Sequence, residues 1–321
     1  MKILITGANG FLGSHIVEES LKNSKNEVYA AIRESADTSY LDGLGSEILK
    51  VDYTDIHSLT NSLKEISSQK KLDLIIHNAG LTKSNSQKEN WSVNKGITKT
   101  LLDAIEASKC LSPKGKLVYI SSLAALGPVG TDGPVSSYGK SKMEAELLIK
   151  SSGIPFLIFR PTAIYGPRDK SFLSLFKTTK LGLYPVITPE SQKITMIYAP
   201  DVARVILYYS NTESNRTINL TDGSVYSHQD FRGILESILG RKIRMFNVPE
   251  FLVKSGLFLI EYATKPARIK PVLTIEKFNE IKQDWNHPPV ELIKTNNQLS
   301  LTSLKDGFAK TYLYYQNQNL L

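Results

Sequence analysis

The first twenty residues constrain the fold of this chain more than any other stretch. Lys2 to Ile5 predicts a short buried strand, and the apolar pattern from Ile16 to Leu21 predicts a helix. Between them, Gly7 permits a tight turn, Gly10 lets the backbone approach a phosphate, and Gly13 lets helix and strand pack closely. The free N–H groups and positive dipole end of the helix then face the anion. This order of features predicts a diphosphate site, and an ordinary strand–turn–helix corner is the alternative.

Composition narrows the class of protein. The chain has 321 residues, 41% apolar and 22% charged, which is typical of one large or two small globular domains. Its net charge is +8, but Lys and Arg are scattered rather than arranged in a stripe. A solvated basic surface that favours an anionic ligand is therefore expected, and nucleic-acid binding is not. The single cysteine, Cys110, excludes an internal disulfide and a cysteine-built metal site, and we predict no metal.

Location is predicted from the apolar runs. The first strand begins at Lys2, which leaves no room for a signal peptide, and no run approaches the roughly 18–20 apolar residues needed to span a bilayer. We therefore expect a cytoplasmic protein with no membrane span. The most apolar stretch is Phe251 to Ile260, interrupted by Lys254 and Ser255. For this stretch we predict a core helix rather than membrane contact.

Strand and helix patterns alternate through the first half of the chain, which predicts an α/β fold with a Rossmann-type, doubly wound parallel sheet. A smaller C-terminal substrate lobe follows. The predicted dinucleotide-binding domain is 1–167, with 195–225 returning to it, and the predicted lobe is 168–194 with 226–321. The predicted strands are Lys2–Ile5, Glu27–Ile32, Glu47–Val51, Leu72–Ile76, Lys116–Ile120, Ile154–Phe159 and, in the returning segment, Thr217–Leu220.

The ends of the second and third strands bear on the choice of dinucleotide. Arg33 ends the second strand, where an acidic residue would accept from the ribose of NAD and an arginine would pair with the 2′-phosphate of NADP. NADP is therefore favoured, while NAD and a merely solvated Arg33 remain alternatives, since Glu34 follows directly. Asp52 closes the third strand and is predicted to accept from the adenine amino group.

Two residues four apart carry the predicted chemistry. Tyr138 and Lys142 share one helix face. Hydride transfer to a carbonyl leaves an alkoxide, so a proton donor is needed, and a tyrosine with a pKa of about 10 needs help to act near neutral pH. The Lys142 ammonium is expected to lower the pKa of Tyr138 and to hold the nicotinamide ribose. A preceding hydroxyl, from Ser121 or Ser122, would steady the substrate oxygen.

Together these motifs resemble the extended short-chain dehydrogenase/reductase family, which includes NAD-dependent epimerases and dehydratases and 3β-hydroxysteroid dehydrogenases. The similarity is strong over residues 1–225 and loose beyond. In the family pattern the catalytic hydroxyl lies five residues before a glycine, here Gly127, which selects Ser122. The motifs are Thr6–Gly13, Asp52, His77–Gly80, Ser121–Ser122, Tyr138 with Lys142, and Arg160–Pro167. The resemblance implies cofactor contacts from Gly7, Asn9, Gly10, Phe11, Leu12, Gly13, Arg33, Asp52, Tyr53, Asn78, Ala79, Gly80, Tyr138, Lys142, Pro161 and Ile164.

Departures from the family pattern narrow the expected reaction. Family dehydratases carry an Asp-Glu pair after the hydroxyl residue, and this chain has Leu123 and Ala124, which cannot transfer protons. Nucleotide-sugar epimerases usually have an asparagine where this chain has Ala163. The Arg160–Pro167 stretch instead looks like that of steroid and flavonoid reductases, which implies an apolar substrate wall. Three aromatic residues are predicted to extend that wall: Phe172, Phe176 and Tyr184.

Three functional hypotheses follow. The first is an NAD(P)-dependent oxidoreductase that interconverts a secondary alcohol and a ketone, with Ser122, Tyr138 and Lys142 as the catalytic residues. The second is a nucleotide-sugar 4-epimerase, which uses the same residues but retains its dinucleotide. The third is a dinucleotide-sensing regulator, against which the intact catalytic set argues. A small-molecule substrate is expected in the first two cases, and analogy with the family predicts a homodimer.

Overall fold

The computed structural model describes residues 1–81, 87–264, 271, 273–287 and 299–321. Its strands are β1 Lys2–Thr6, β2 Glu27–Ile32, β3 Glu47–Lys50, β4 Leu72–His77, β5 Leu111–Ile120, β6 Phe156–Pro161, β7 Ala163–Tyr165, β8 Leu183–Val186, β9 Met196–Tyr198, β10 Arg216–Leu220 and β11 Arg244–Asn247.

Seven of these strands form one parallel sheet in the order β10-β6-β5-β4-β1-β2-β3. Strand order reverses between β1 and β4, and the carboxyl ends of strands at such a switch point form the usual ligand crevice of an open α/β sheet. Both strands are nearly continuous buried apolar runs, as expected for strands covered by helices on two faces. The predicted doubly wound fold and the return of the segment around residue 217 to the sheet are confirmed.

Helices lie on both faces of the sheet and in the C-terminal part. They are α1 Phe11–Leu21, α2 Ile56–Ile66, α3 Gln87–Asn90, α4 Ile97–Ser108, α5 Ser137–Ser151, α6 Leu173–Lys180, α7 Ala199–Thr212, α8 His228–Leu239, α9 Glu250–Thr264, α10 Ile275–Ile281 and α11 Leu304–Asn317. A π-helical turn, Trp91–Gly96, connects α3 to α4, and a 3₁₀ turn, Leu123–Ala125, follows β5. Across the described ranges, no helix is both long and apolar enough to cross a membrane.

Buried side chains form two cores against the sheet and a third outside it. One face of the sheet packs against α1 and α7, and the other against α2, α4 and α5. The third core surrounds Phe308 of α11, whose ring lies 5.0 Å from Tyr165 and 5.4 Å from Phe176. This core supports a separate C-terminal lobe, although the exact division of the chain stays a prediction.

The prediction that three aromatic residues line an apolar substrate wall is wrong for two of them. Phe176 and Tyr184 are buried in the third core, where Phe176 packs on Phe308 and the Tyr184 hydroxyl bonds to His228 Nδ1 at 2.9 Å. Phe172 is partly buried and lies 6.2 Å from Phe308. Phe176 and Tyr184 do not contact a ligand site, because they fill the interior of the C-terminal lobe.

The prediction of a core helix at 251–260 is also wrong. The helix forms as α9, but Leu257 is its one buried residue among the fifteen, all of which are described. Phe251, Phe258 and Leu259 are 66%, 61% and 65% exposed. An apolar run predicts burial, but the large side chains of this run lie on the side of the helix that faces away from the fold.

Candidate active site

The turn after β1 has the compactness that the glycine spacing predicts. Gly7 has a φ of +63°, and a Cβ there would lie 2.8 Å from Ala79 Cα at the end of β4. A Cβ on Gly13 would lie 2.1 Å from the Gly7 carbonyl oxygen, so helix α1 can approach the turn only because residue 13 is glycine. Gly10 is the N-cap of α1, with no side chain capping it within the described chain. The helix N-terminus is thus left open to an anion.

The end of β4 is locked to this glycine turn. Asn78 Nδ2 donates to the Gly7 carbonyl at 3.2 Å, and the Ala79 N–H donates to Thr6 Oγ1 at 3.1 Å. Thr6 Oγ1 also lies 2.8 Å from Nδ1 of the fully buried His77. Burial lowers the pKa of His77 to about 3, so the ring is neutral and structural rather than an acid–base group.

Three residues predicted to hold the adenine end lie around the ends of β2 and β3. Arg33 is exposed directly after β2, and Asn9 donates from Nδ2 to the Asp37 carbonyl at 3.1 Å. Asp52 is exposed, and its carboxylate accepts from the Thr54 N–H at 2.8 Å. Asp52 and Arg33 are therefore placed where a dinucleotide can reach them.

Tyr53 lies inside the fold rather than on the crevice surface. It is 4% exposed, its hydroxyl donates to the Ala31 carbonyl at 2.8 Å, and it accepts from the Gly7 N–H at 3.2 Å. In this position Tyr53 shapes the glycine turn from behind. The remaining predicted cofactor residues are Phe11, half-buried at the start of α1, Leu12, buried in the same turn, Pro161, buried at the end of β6, and Ile164, half-buried in β7.

Ser122 and Tyr138 come together at the carboxyl end of β5. Ser122 is the N-cap of the 3₁₀ turn, where its Oγ accepts from the Ala124 N–H at 3.1 Å, and its hydroxyl lies close enough to Tyr138 to lower the pKa of that phenol. Ser136 caps α5 by accepting from the Gly139 N–H, which fixes Tyr138 in the first turn of the helix. The neighbouring Ser121 is buried and bonded elsewhere, as the choice of Ser122 from the family pattern requires.

Lys142 lies one helical turn behind Tyr138 and is buried. Its Nζ donates to the Ile120 carbonyl at 2.9 Å and lies 4.8 Å from the Tyr119 ring centroid. Burial lowers the pKa of Lys142 to about 8, against the opposing effect of the Glu146 carboxylate. The ammonium is thus held between polar contacts and the crevice.

The expected lowering of the Tyr138 pKa is not found. Burial raises the pKa of Tyr138 above its ordinary value, the hydrogen bond with Ser122 opposes the rise, and Glu280 adds to it. Desolvation is the largest cause, and Lys142 is not among the groups that shift this pKa; its ammonium donates to the Ile120 carbonyl. Tyr138 is therefore protonated at neutral pH, which is the state a proton donor needs.

A buried ion pair behind the site was not predicted. Glu146 is 1% exposed and accepts from Ser121 Oγ at 2.6 Å and from Arg160 Nε at 2.8 Å. The two residues come from α5 and β6, and the pair fastens the helix that carries Tyr138 to the sheet. The sequence indicated one member of the pair, because Arg160 lies in the Arg160–Pro167 motif. The spacing of residues did not indicate Glu146 as its partner.

A π-helical turn contributes a second unpredicted group. Asn94 is buried there, accepts from the Leu81 N–H at 2.8 Å and donates to Ser141 Oγ at 2.9 Å. A Cβ on Gly80 would lie 3.0 Å from Lys142 Nζ and 3.1 Å from Asn94 Oδ1. Gly80 thereby leaves room for both side chains, and π-turns of this kind are frequent at functional sites.

Helix α10 covers the outer side of Tyr138. Lys277 Nζ lies 5.5 Å from the Tyr138 ring centroid and pairs with the buried Glu280. Glu276 accepts from the Ser137 N–H at 2.6 Å, which ties α10 to the start of α5. Residues from the C-terminal part of the chain therefore border Tyr138.

The sequence of residues 3–221 matches the model of the NAD dependent epimerase/dehydratase family. The chain belongs to that family. Its members are NAD-dependent, so the open glycine turn and the residues around it fit a nicotinamide dinucleotide. The geometry agrees with this on its own, because Gly10 leaves the first N–H groups of α1 without a side-chain cap and open to the phosphates of a dinucleotide.

Relatives within the NAD dependent epimerase/dehydratase family include both reductases and epimerases. A ceramide reductase of Caulobacter vibrioides is 25% identical over 98% of this chain and 94% of its own length. An uncharacterised UDP-glucose epimerase of Bacillus subtilis is 26% identical over 98% of each chain. The structure of a UDP-glucuronic acid 4-epimerase from Bacillus cereus superposes with a TM-score of 0.71 at 24% identity, over 99% of this chain and all of that one.

The Tyr138→Phe substitution should abolish most turnover while leaving dinucleotide affinity within a few-fold. With the hydroxyl as the predicted proton donor, its loss removes a proton transfer that contributes about 10²–10⁴-fold to the rate, whereas the ring still fills its place. Lys142→Ala should reduce both turnover and affinity. Steady-state kinetics and dinucleotide titration measure the two effects, with Tyr312→Phe in α11 as a control for loss of a phenol. A Tyr138→Phe enzyme that keeps most of its rate would show that another group donates the proton.

Proposed function

We propose that this protein is an NAD(P)-dependent oxidoreductase that interconverts a ketone and a secondary alcohol. The observation that carries the proposal is the placement of Tyr138 beside Ser122 at the carboxyl end of β5, with the Lys142 ammonium one helical turn behind it. These groups meet at the sheet edge where the glycine turn is open, so one crevice offers both a dinucleotide site and a proton donor.

Each of the three residues has a separate role in carbonyl reduction. The bound nicotinamide supplies the hydride to the carbonyl carbon or takes it back. Tyr138 gives its hydroxyl proton to the carbonyl oxygen, and Ser122 donates a hydrogen bond to the same oxygen as negative charge develops there. Lys142, already held by the Ile120 carbonyl, stabilises the phenolate that remains through its positive charge, and Tyr138 then regains a proton from solvent.

The surroundings of Ser122 support an apolar substrate and a simple reaction. Leu123 and Ala124 are buried apolar residues directly after Ser122, so no second acid–base pair stands there to remove water from a sugar. Ala163 offers no polar group to a sugar diphosphate. A full-length similarity to a ceramide reductase agrees with reduction of a largely apolar molecule.

The second candidate is a nucleotide-sugar 4-epimerase. It is favoured by the epimerases among the relatives and by the use of the same three catalytic residues. An epimerase returns the hydride to its own substrate, so its dinucleotide stays bound through each cycle. A reductase must exchange its dinucleotide at every turnover.

Dinucleotide content separates the two candidates. Native mass spectrometry of the gently purified protein should show little bound dinucleotide, because a reductase releases it. Turnover of NADPH or NADH with a panel of ketones should be detectable, whereas no UDP-sugar should be epimerised. A dinucleotide content near one per chain, together with epimerisation of a UDP-sugar, would contradict the proposal.

We further propose that Arg33 gives a preference for NADP(H). Charge-assisted bonds between guanidinium and phosphate contribute about 1.5–3 kcal/mol, or about 10- to 150-fold in affinity at about 1.4 kcal/mol per decade. Because Arg33 is exposed, the lower figure is expected. Titration of NADP⁺ against NAD⁺ at fixed ionic strength should show the preference in the wild type and its loss in Arg33→Ala. The control is Lys22→Ala, a distant exposed base that should change neither affinity. Equal affinities of the wild type for NADP⁺ and NAD⁺ would contradict this proposal.

A further inference from the structure

Helix α9 carries a large apolar surface that the fold leaves uncovered. Its apolar face consists of Phe251, Leu252, Phe258, Leu259 and Tyr262, all of them exposed. These positions follow one another at steps of one, six, one and three residues, which places them on one side of a helix with 3.6 residues per turn. Soluble proteins rarely expose a contiguous apolar surface of this kind unless it binds something.

Basic residues lie on and beside β11, the strand that precedes α9 in the chain. We call Lys180, Arg241, Lys242 and Arg244 the basic edge; all four are exposed, and Arg241 donates to the Lys180 carbonyl at 2.8 Å. Arg244 in β11 lies in register with Leu183 in β8. Exposed apolar side chains lie among these basic residues. Those apolar side chains are Leu181, Leu183 and Phe246.

The opposite side of α9 faces the fold, where Leu257 is buried and two acidic residues make polar contacts. Glu250 pairs with Lys254 at 2.7 Å and with Lys282 at 2.8 Å, and the Glu261 carboxylate accepts from the Ile275 N–H at 2.6 Å. Lys282 and Ile275 both border or belong to α10, so α9 rests on the helix that covers Tyr138. Helix α9 therefore presents its most exposed large side chains outward, and α10 lies between α9 and Tyr138.

We propose that the apolar face of α9 docks on an anionic lipid surface, with the basic edge contacting the headgroups. Helices with large apolar and aromatic residues on one side and bases beside them bind in the plane of a membrane interface. Lysine and arginine near the surface are attracted to anionic lipids. The fifteen residues of α9 extend about 22 Å, which is too short to span a bilayer and suits a helix that lies flat.

Charge and area favour lipid over a second copy of the chain. Two copies that met through this face would bring two basic edges together on chains of net charge +8 each, which repels. A single helix face about 22 Å long and about 10 Å wide has a footprint of about 220 Å², well below the ~800 Å² per partner of a standard stable interface. An anionic membrane satisfies both the apolar and the basic components. Delivery of a membrane-embedded substrate past α10 to Tyr138 would follow, a consequence that rests on the proposed function.

Sedimentation with vesicles tests the docking without substrate or dinucleotide, so its result is independent of the proposed reaction. The wild type should sediment with phosphatidylcholine vesicles containing one-quarter phosphatidylglycerol and much less with phosphatidylcholine alone. Replacing both Phe258 and Leu259 by serine should weaken binding by about tenfold or more, because two exposed apolar side chains lose their burial. Arg244→Gln and added salt should each weaken binding to the anionic vesicles.

The matched control is Leu313→Ser, a side chain 56% exposed on α11, which should bind vesicles like the wild type. Because the substituted residues are exposed, the thermal midpoints of all variants should stay close to that of the wild type, which separates lost docking from lost folding. A wild type that stays in the supernatant, or a double variant that sediments as the wild type does, would overturn the proposal. So would a dimer in size-exclusion chromatography that the double variant converts to monomer.

Discussion

The close approach of the β1 turn to the end of β4 is the constraint on which the rest of the structure depends. Gly13 sets the distance of α1 from the turn, and Gly7 lets the backbone pass within contact of Ala79. Those two approaches place an open helix N-terminus above the switch point of the sheet. Ser122 and Tyr138 are then brought to the same edge, because β5 and α5 place them on the neighbouring side of β4.

The parts of the fold that depend on local pattern were predictable. Buried apolar strands, a glycine turn and helix periodicity led to the parallel sheet, and the spacing of Tyr138 and Lys142 placed them on one helix face. Long-range contacts were not predictable. The Glu146–Arg160 ion pair joins residues fourteen apart through the packing of α5 on β6, and Asn94 acts from a π-turn that no propensity indicates.

The corrections share one physical cause, which is that residue type does not fix environment. Phe176 and Tyr184 fill the interior of the C-terminal lobe, while Phe258 and Leu259 of an equally apolar stretch are exposed. For Tyr138, a lysine four residues away predicts a lowered pKa, yet desolvation raises the pKa and Lys142 has no part in the shift. Burial and orientation decide these outcomes, and both come from tertiary structure.

The most direct test of the account is to follow a labelled hydride. Reduced dinucleotide carrying deuterium at both C4 positions is mixed with the protein and a long-chain ketone, and the alcohol is analysed by mass spectrometry. The account predicts one deuterium on the carbinol carbon of the alcohol and an equal amount of oxidised dinucleotide released to solution. Retention of all deuterium on an enzyme-bound dinucleotide, with no labelled alcohol and with epimerisation of an added UDP-sugar, would contradict it.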